Sequence, residues 1–279
     1  MLKVLAIALG AGLTPAGAVT PVNFADDSLV AWCIVPFDAK KRSPEARAKM
    51  LVGLGLRRCA YDWRAEHVAS FEAEIEAYRK FGIEFTAFWG EHENAFELFI
   101  KHRIKPQIWK TCPSPPGKTQ QERVAAAAAQ LQELAVRCRK MGSKLGLYNH
   151  GGWGGVPENL IAVCRALIAR GHDNVGVVYN FHHAHGRIAD FAADLKLLKP
   201  HLLCLNLNGM NPRAQPKILP IGDGLHEAAM IRAVIASGYG GPIGILDHLP
   251  DEDSAVALRH NLDGLHRLLA GGGKPGIQE

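Results

Sequence analysis

Short apolar runs alternate along this chain with longer stretches in which apolar residues recur every three or four positions, the pattern of repeated strand-then-helix units. The runs predict strands at 29–35, 57–61, 84–88, 105–109, 144–148, 175–179, 202–207 and 243–246. The amphipathic stretches predict helices at 44–54, 69–81, 93–102, 120–141, 157–169, 188–198, 225–237 and 253–269. Each strand therefore acquires its own helix, and eight such units predict an α/β chain folded as a single (β/α)8 barrel, the TIM-barrel architecture. An open doubly wound sheet has the same rhythm, because closure is not written in periodicity. Local chemistry agrees with several boundaries. Ser43-Pro44 supplies a cap and a first-turn proline, and Gly82, Gly142, Gly171 and Gly238 follow helical stretches where a left-handed residue closes the last turn.

Length and composition fit one domain: 279 residues, 48% hydrophobic and 21% charged, suffice for a full core. The net charge of +5 is spread over interspersed Lys, Arg, Asp and Glu, with no basic block interleaved with aromatics, so no nucleic-acid partner is expected. The first residues change the picture more. Met1-Leu2-Lys3, an apolar run over 4–13 and the small residues Ala16-Gly17-Ala18 follow the order of a secretory signal. The run is too short to cross a hydrocarbon layer of about 30 Å as a helix. The expected organisation is a signal peptide at 1–18 and a barrel domain at 19–279, exported to the periplasm or medium, with a mature net charge of +4 and no membrane span after the leader is removed. A buried first strand is the competing reading of 1–18, and Gly10, Gly12, Pro15 and Gly17 count against it. Six cysteines do not make a disulfide framework; they read as buried thiols, with one oxidised pair involving Cys112 left open.

In a barrel of this kind the carboxyl ends of the strands meet on one face, so residues far apart in sequence surround one ligand. The ends here are polar and aromatic: Tyr61-Asp62-Trp63-Arg64, Phe88-Trp89, Trp109-Lys110-Thr111, Tyr148-Asn149-His150, Tyr179-Asn180-Phe181-His182-His183 with His185, Asn206 with Asn208, and Asp247-His248. Imidazole serves as general acid, general base or metal ligand near neutral pH. His150, His183 and His248 are the stronger candidates, while His182 and His185 read equally as ligand-facing or as hydrogen-bonded loop histidines. Trp63, Trp89, Trp109 and Trp153 could stack on sugar rings while Asn180, Asn206 and Asn208 bond hydroxyls, or could simply close the barrel top. Lys110 and Arg64 are candidate oxyanion stabilisers, and Asp62 is a candidate acid, base or partner of Arg64. His150-Gly151-Gly152-Trp153-Gly154-Gly155 lacks the phosphate-loop spacings and reads as a loop of close backbone approach.

Asn149-His150-Gly151-Gly152, Val178-Tyr179-Asn180-Phe181-His182-His183, Leu205-Asn206-Leu207-Asn208, Ile221-Gly222-Asp223-Gly224 and Gly238-Tyr239-Gly240-Gly241-Pro242-Ile243-Gly244-Ile245 together resemble the xylose isomerase-like TIM-barrel superfamily, which holds sugar phosphate isomerases and epimerases and AP-endonuclease-type enzymes. The resemblance spans nearly all of the chain after residue 18. It implies a divalent metal held by Glu, Asp, His and Glu at the ends of the fifth to eighth strands, positions that fall here on Tyr148, Asn180, Asn206 and Asp247. Only Asp247 could substitute directly. His183 matches the superfamily's histidine, and with His150, Asp247 and His248 it forms the candidate set for a rebuilt metal site.

The leading functional expectation is a carbohydrate-active enzyme that isomerises, epimerises or eliminates next to a sugar carbonyl. His150 and His183 would move protons while Lys110 or His248 steadies the oxyanion. The alternatives are a non-catalytic sugar-binding protein derived from the same fold, and a metal-dependent phosphodiester hydrolase. The expected partner is a small carbohydrate.

Overall fold

The computed structural model describes residues 20–272, so the leader expected at 1–18 lies outside the described residues. Eight parallel strands follow one another around a closed barrel: β1 (Leu29–Trp32), β2 (Arg58–Tyr61), β3 (Glu84–Trp89), β4 (Gln107–Thr111), β5 (Leu145–Tyr148), β6 (Val175–Asn180), β7 (Leu202–Leu207) and β8 (Ile243–Leu246). Closure comes from β1 against β8, in register from Leu29 opposite Ile243 to Trp32 opposite Leu246. The open doubly wound sheet is thereby excluded.

The helices α1 (Pro44–Gly53), α2 (Phe71–Phe81), α3 (Glu93–His102), α4 (Gln120–Met141), α5 (Pro157–Ala169), α6 (Phe191–Leu198), α7 (Glu227–Ala236) and α8 (Ser254–Leu269) form the outer layer. The caps follow the sequence. Ser43 Oγ accepts from the Ala46 N–H ahead of Pro44, and Thr119 and Glu122 satisfy each other's backbone N–H at the start of α4. Gly82 and Gly142 take left-handed conformations that end α2 and α4. No helix among the described residues is long and apolar enough to cross a membrane.

Several boundaries depart from the reading by a few residues, two of them for a plain local reason. β1 stops at Trp32 rather than at residue 35 because Cys33 turns the chain with φ +60°. β4 begins at Gln107 because Pro106 has no N–H to give the ladder. Residues 188–190 form a turn rather than the first part of α6.

Two apolar layers result. Leu, Ile, Val and Phe side chains fill the space between strands and helices, and a second cluster fills the barrel axis, where Trp32, Trp109 and Tyr148 meet Val30, Val178 and Leu246. The Trp32 and Trp109 ring centroids are 4.9 Å apart, edge to face. Gly146 on β5 makes room for this plug: a Cβ there would lie 2.7 Å from Val178 Cγ2 and 2.9 Å from Trp109 Cδ1. All six cysteines lie among the described residues, buried and free, so the oxidised pair left open for Cys112 is not formed.

α8 carries Gly264 at its centre because the Ile221 backbone lies directly on it; a Cβ there would fall inside the Ile221 carbonyl. Gly264→Ala is therefore expected to destabilise the protein by roughly 1–3 kcal/mol through overpacking. The same change in an exposed helix would gain about 1 kcal/mol. Thermal unfolding of the variant checks the sign.

Candidate active site

At the carboxyl face, a small cleft of about 90 Å³ opens above the aromatic plug. Its floor is the plug itself. Tyr148 Oη accepts from Trp32 Nε1 at 3.2 Å and from the Asn180 side-chain amide, so the phenol's own O–H is left to donate. Burial pushes the Tyr148 pKa far up, which keeps that proton in place.

Four imidazoles form one wall. His150 follows β5, His182 and His183 follow β6, and His248 follows β8. Ring centroids lie 4.4 Å apart for His150 and His183, 3.6 Å for His182 and His183, and 5.6 Å for His182 and His248. The loop after β6 is pinned by two asparagines: Asn149 Oδ1 accepts from the Asn180 N–H at 2.7 Å, and Asn180 Oδ1 accepts from the His182 N–H at 3.1 Å. Burial lowers the pKa of all four rings, and their mutual repulsion and the nearby Lys217 ammonium add to it. His183 falls to about 3 and His182 further. The wall is thus neutral imidazole, a set of proton acceptors and donors rather than a patch of positive charge.

Asp62, Arg64, Trp89 and Phe37 line the same cleft. Burial pushes the Asp62 carboxyl up to about 7, in spite of the Arg64 charge and backbone N–H donors that favour its ionised form, and its Oδ1 has no partner. Phe37 stacks on His248 at 3.9 Å between centroids, and the Arg64 guanidinium lies over its ring at 5.5 Å. The loop carrying Phe37 is tied to the β8 loop, since Arg42 bridges Asp38 and Asp253 at 2.7 Å each and the Ser254 N–H donates to Asp38.

Of the residues singled out in the sequence, Asp62, Arg64, Trp89, His150, His182, His183 and His248 meet in this cleft. Others lie elsewhere. Lys110 is paired with Glu91 at 2.9 Å on the exposed rim. Trp109 is fully buried in the plug, and Trp63 packs on Phe88 and Phe71 with its N–H on the Trp89 carbonyl. Trp153 bonds Gln120 and lies under Arg123 outside the cleft. Both ring nitrogens of His185 face backbone carbonyls, of Asn211 and Lys217, and Asn208 braces the same loop through Lys217 and Leu219. Asn180 is consumed by Tyr148 and the His182 cap, while Asn206 is fully buried in the barrel with its amide nitrogen unpaired. The glycine motif at 221–224 is also architectural: it wraps the buried Glu227 carboxylate, which accepts from the Met210, Gly222 and Gly224 N–H groups.

The residues present do not fit the metal that the superfamily resemblance implies. Tyr148 and Asn180 are bonded to each other, Asn206 is buried in the barrel, and Asp247 is bonded by Ser254 and the Leu249 N–H. Among the described residues no group of three or more His, Cys, Asp or Glu side chains is placed to hold a metal ion, the set of His150, His183, Asp247 and His248 included. Trp32, Cys33 and Phe37 line the cleft without having been singled out, because the first strand was extended past the turn that presents them; Pro36 was the available signal. Cys33 is no nucleophile, since burial holds its thiol protonated.

A protein-family model described as xylose isomerase-like TIM barrel matches residues 55–265. Among solved structures, 3-keto-D-glucoside 4-epimerase from E. coli superposes with a TM-score of 0.59 at 15% identity, covering 81% of this chain and 94% of that one. The probable 3-DHS dehydratase of Bacillus anthracis gives 0.67 at 12%, over 85% and 98%. D-Psicose 3-epimerase, solved in the presence of D-fructose, gives 0.61 at 12%, over 87% and 99%. At these identities the likeness is one of fold. No curated protein matches the sequence.

The raised Asp62 pKa has a thermodynamic consequence. Its folded value of about 7 exceeds the ordinary 3.8, so the native state holds the proton more tightly and stability is lost as pH rises through that window. Asp62→Asn, which cannot ionise, is expected to gain melting temperature over the parent progressively between pH 4 and 7, with the gap constant above; at about 1.4 kcal/mol per pH unit the gain is on the order of a few kcal/mol. Melting curves of both proteins across that range check it.

Proposed function

We propose that this chain, which belongs to the xylose isomerase-like TIM barrel family, is a carbohydrate-active enzyme that moves a proton next to a sugar carbonyl without using the family's metal. The observation that carries this reading is the pairing, in one cleft, of neutral imidazoles with a carboxyl group protonated near pH 7. A neutral His183 nitrogen accepts the proton from the carbon beside the carbonyl, and the C–H electron pair becomes the C=C bond of an enediol. The carbonyl oxygen takes its proton from Asp62, with Tyr148 O–H positioned to hydrogen-bond it. The His183 proton returns to the neighbouring carbon or to the original one, directly or through His150, whose ring lies 4.4 Å away between centroids on the same wall. Return to the neighbouring carbon isomerises, and return to the original carbon after the enediol has turned its other face to the histidines epimerises; in each case Asp62 takes back a proton from an enediol hydroxyl as the carbonyl reforms. Loss of a β-hydroxyl as water would make the same enediol an elimination intermediate. The Trp89 ring offers a flat face to the sugar. In this reading the protein acts outside the cytoplasm, as the order of residues 1–18 suggests.

A second reading, a sugar-binding protein without turnover, draws on one observation: Tyr148 and Asn180, which stand where metal ligands are expected, are bonded to each other, and Asn206 at a third such position is buried in the barrel.

Turnover of a panel of ketoses, aldoses and uronates, followed by NMR, separates the two. Under the enzymatic reading His183→Ala and His150→Ala each lower kcat/KM by about 10²–10⁴-fold with the circular dichroism spectrum unchanged. The parent's rate falls as pH rises through about 7, because Asp62 must be protonated to act as acid. Binding with no turnover at any pH leaves the second reading.

A further inference from the structure

Arg64 brings a positive charge to the cleft lining, Lys217 adds a second from a neighbouring loop whose charge reaches the histidines, and the carboxyl group in the lining, Asp62, is buried and holds its proton up to about 7. Arg64 lines the wall beside Phe37 and gives one N–H to the Trp63 carbonyl at 2.7 Å, which leaves the rest of its guanidinium fork uncommitted. Lys217 stands on the loop between β7 and α7, and its charge bears on His150, His182, His183 and His248 alike. That loop is held in place: the Lys217 carbonyl takes hydrogen bonds from Asn208 Nδ2 at 3.0 Å and faces His185 Nε2 at 2.9 Å. Among the described residues neither Arg64 nor Lys217 has an ion-pair partner, whereas the rim cations Arg42 and Lys110 are paired with Asp38 and Glu91. The nearest acids, Asp62 and Asp247, are buried, and Asp247 is already bonded by Ser254.

Resting on the proton-transfer reading above, we infer that the substrate is an acid sugar, whose carboxylate is taken by Arg64 with Lys217 supplying a second positive charge. The planar guanidinium fork matches a carboxylate edge, and a charge-assisted pair is the strong form of such a contact. A phosphate ester is the competing anion, a dianion with three terminal oxygens rather than one planar edge. The carboxylate also answers the low basicity of the histidines. An anion seated among the rings favours their protonated form, so His183 becomes a better base only when substrate is bound.

Equilibrium binding of D-glucuronate and D-galacturonate, each against its neutral hexose and against glucose 6-phosphate, tests this by quenching of tryptophan fluorescence. At least one uronate is expected to bind about tenfold or more tightly than its neutral counterpart, with affinity falling as salt rises. Arg64→Gln is expected to remove most of that preference and Lys217→Gln part of it. A neutral sugar binding as tightly as the uronates, tighter binding of the phosphate ester, failure of both uronates to bind, or an unchanged uronate preference in Arg64→Gln overturns the inference. Because binding is read apart from turnover, a uronate that binds through Arg64 but is not converted leaves this inference standing and removes the reaction. Conversion of neutral sugars alone does the reverse.

Discussion

The side chains that fill the axis of the barrel also form the floor of the cleft, and the site's properties follow from that double duty. A closed ring of eight strands leaves a central space that must be packed, and Trp32, Trp109 and Tyr148 pack it with large rings where Gly146 leaves room. This raises a dry, low-dielectric floor close to the carboxyl ends of the strands. Tyr148 is held there by Trp32 and Asn180, so the positions at which the superfamily resemblance implies metal ligands are spent on closing the barrel.

The dry floor then decides the chemistry above it. Groups that would be charged in water lose the solvation that charge requires, and the penalty falls oppositely on acids and bases. His150, His182, His183 and His248 are driven toward the neutral base, and Asp62 toward the protonated acid. One physical cause thus produces both halves of an acid-base pair without a metal. Arg64 remains as a positive charge in the lining, and the Lys217 charge reaches the imidazoles from the loop after β7.

Much of the architecture was legible because strand-helix alternation and capping chemistry are local. Pro44, Gly82 and Gly142 mark their helix ends in the sequence itself, and the eight units follow. The face on which His150, His183 and His248 gather was legible for the same reason, since parallel strands share one carboxyl end. The partners of individual side chains were not. Nothing near Lys110 in sequence says that Glu91 will meet it, and Trp109 reads the same whether it points into the barrel or over its mouth. His185 and Asn208 look like site residues until the loop carrying Lys217 comes down on them from far along the chain. Phe37 was hidden by the turn at Cys33, a backbone conformation that a cysteine does not announce.

The most direct test of the central claim, that this cleft exchanges a proton on carbon beside a carbonyl, is solvent deuterium incorporation. The metal-depleted protein, incubated with its best-bound sugar in D2O, is expected to place deuterium at the carbon next to the carbonyl, and His183→Ala is expected to slow this by orders of magnitude. A bound sugar that acquires no deuterium, or that does so at the same rate in His183→Ala, contradicts the account.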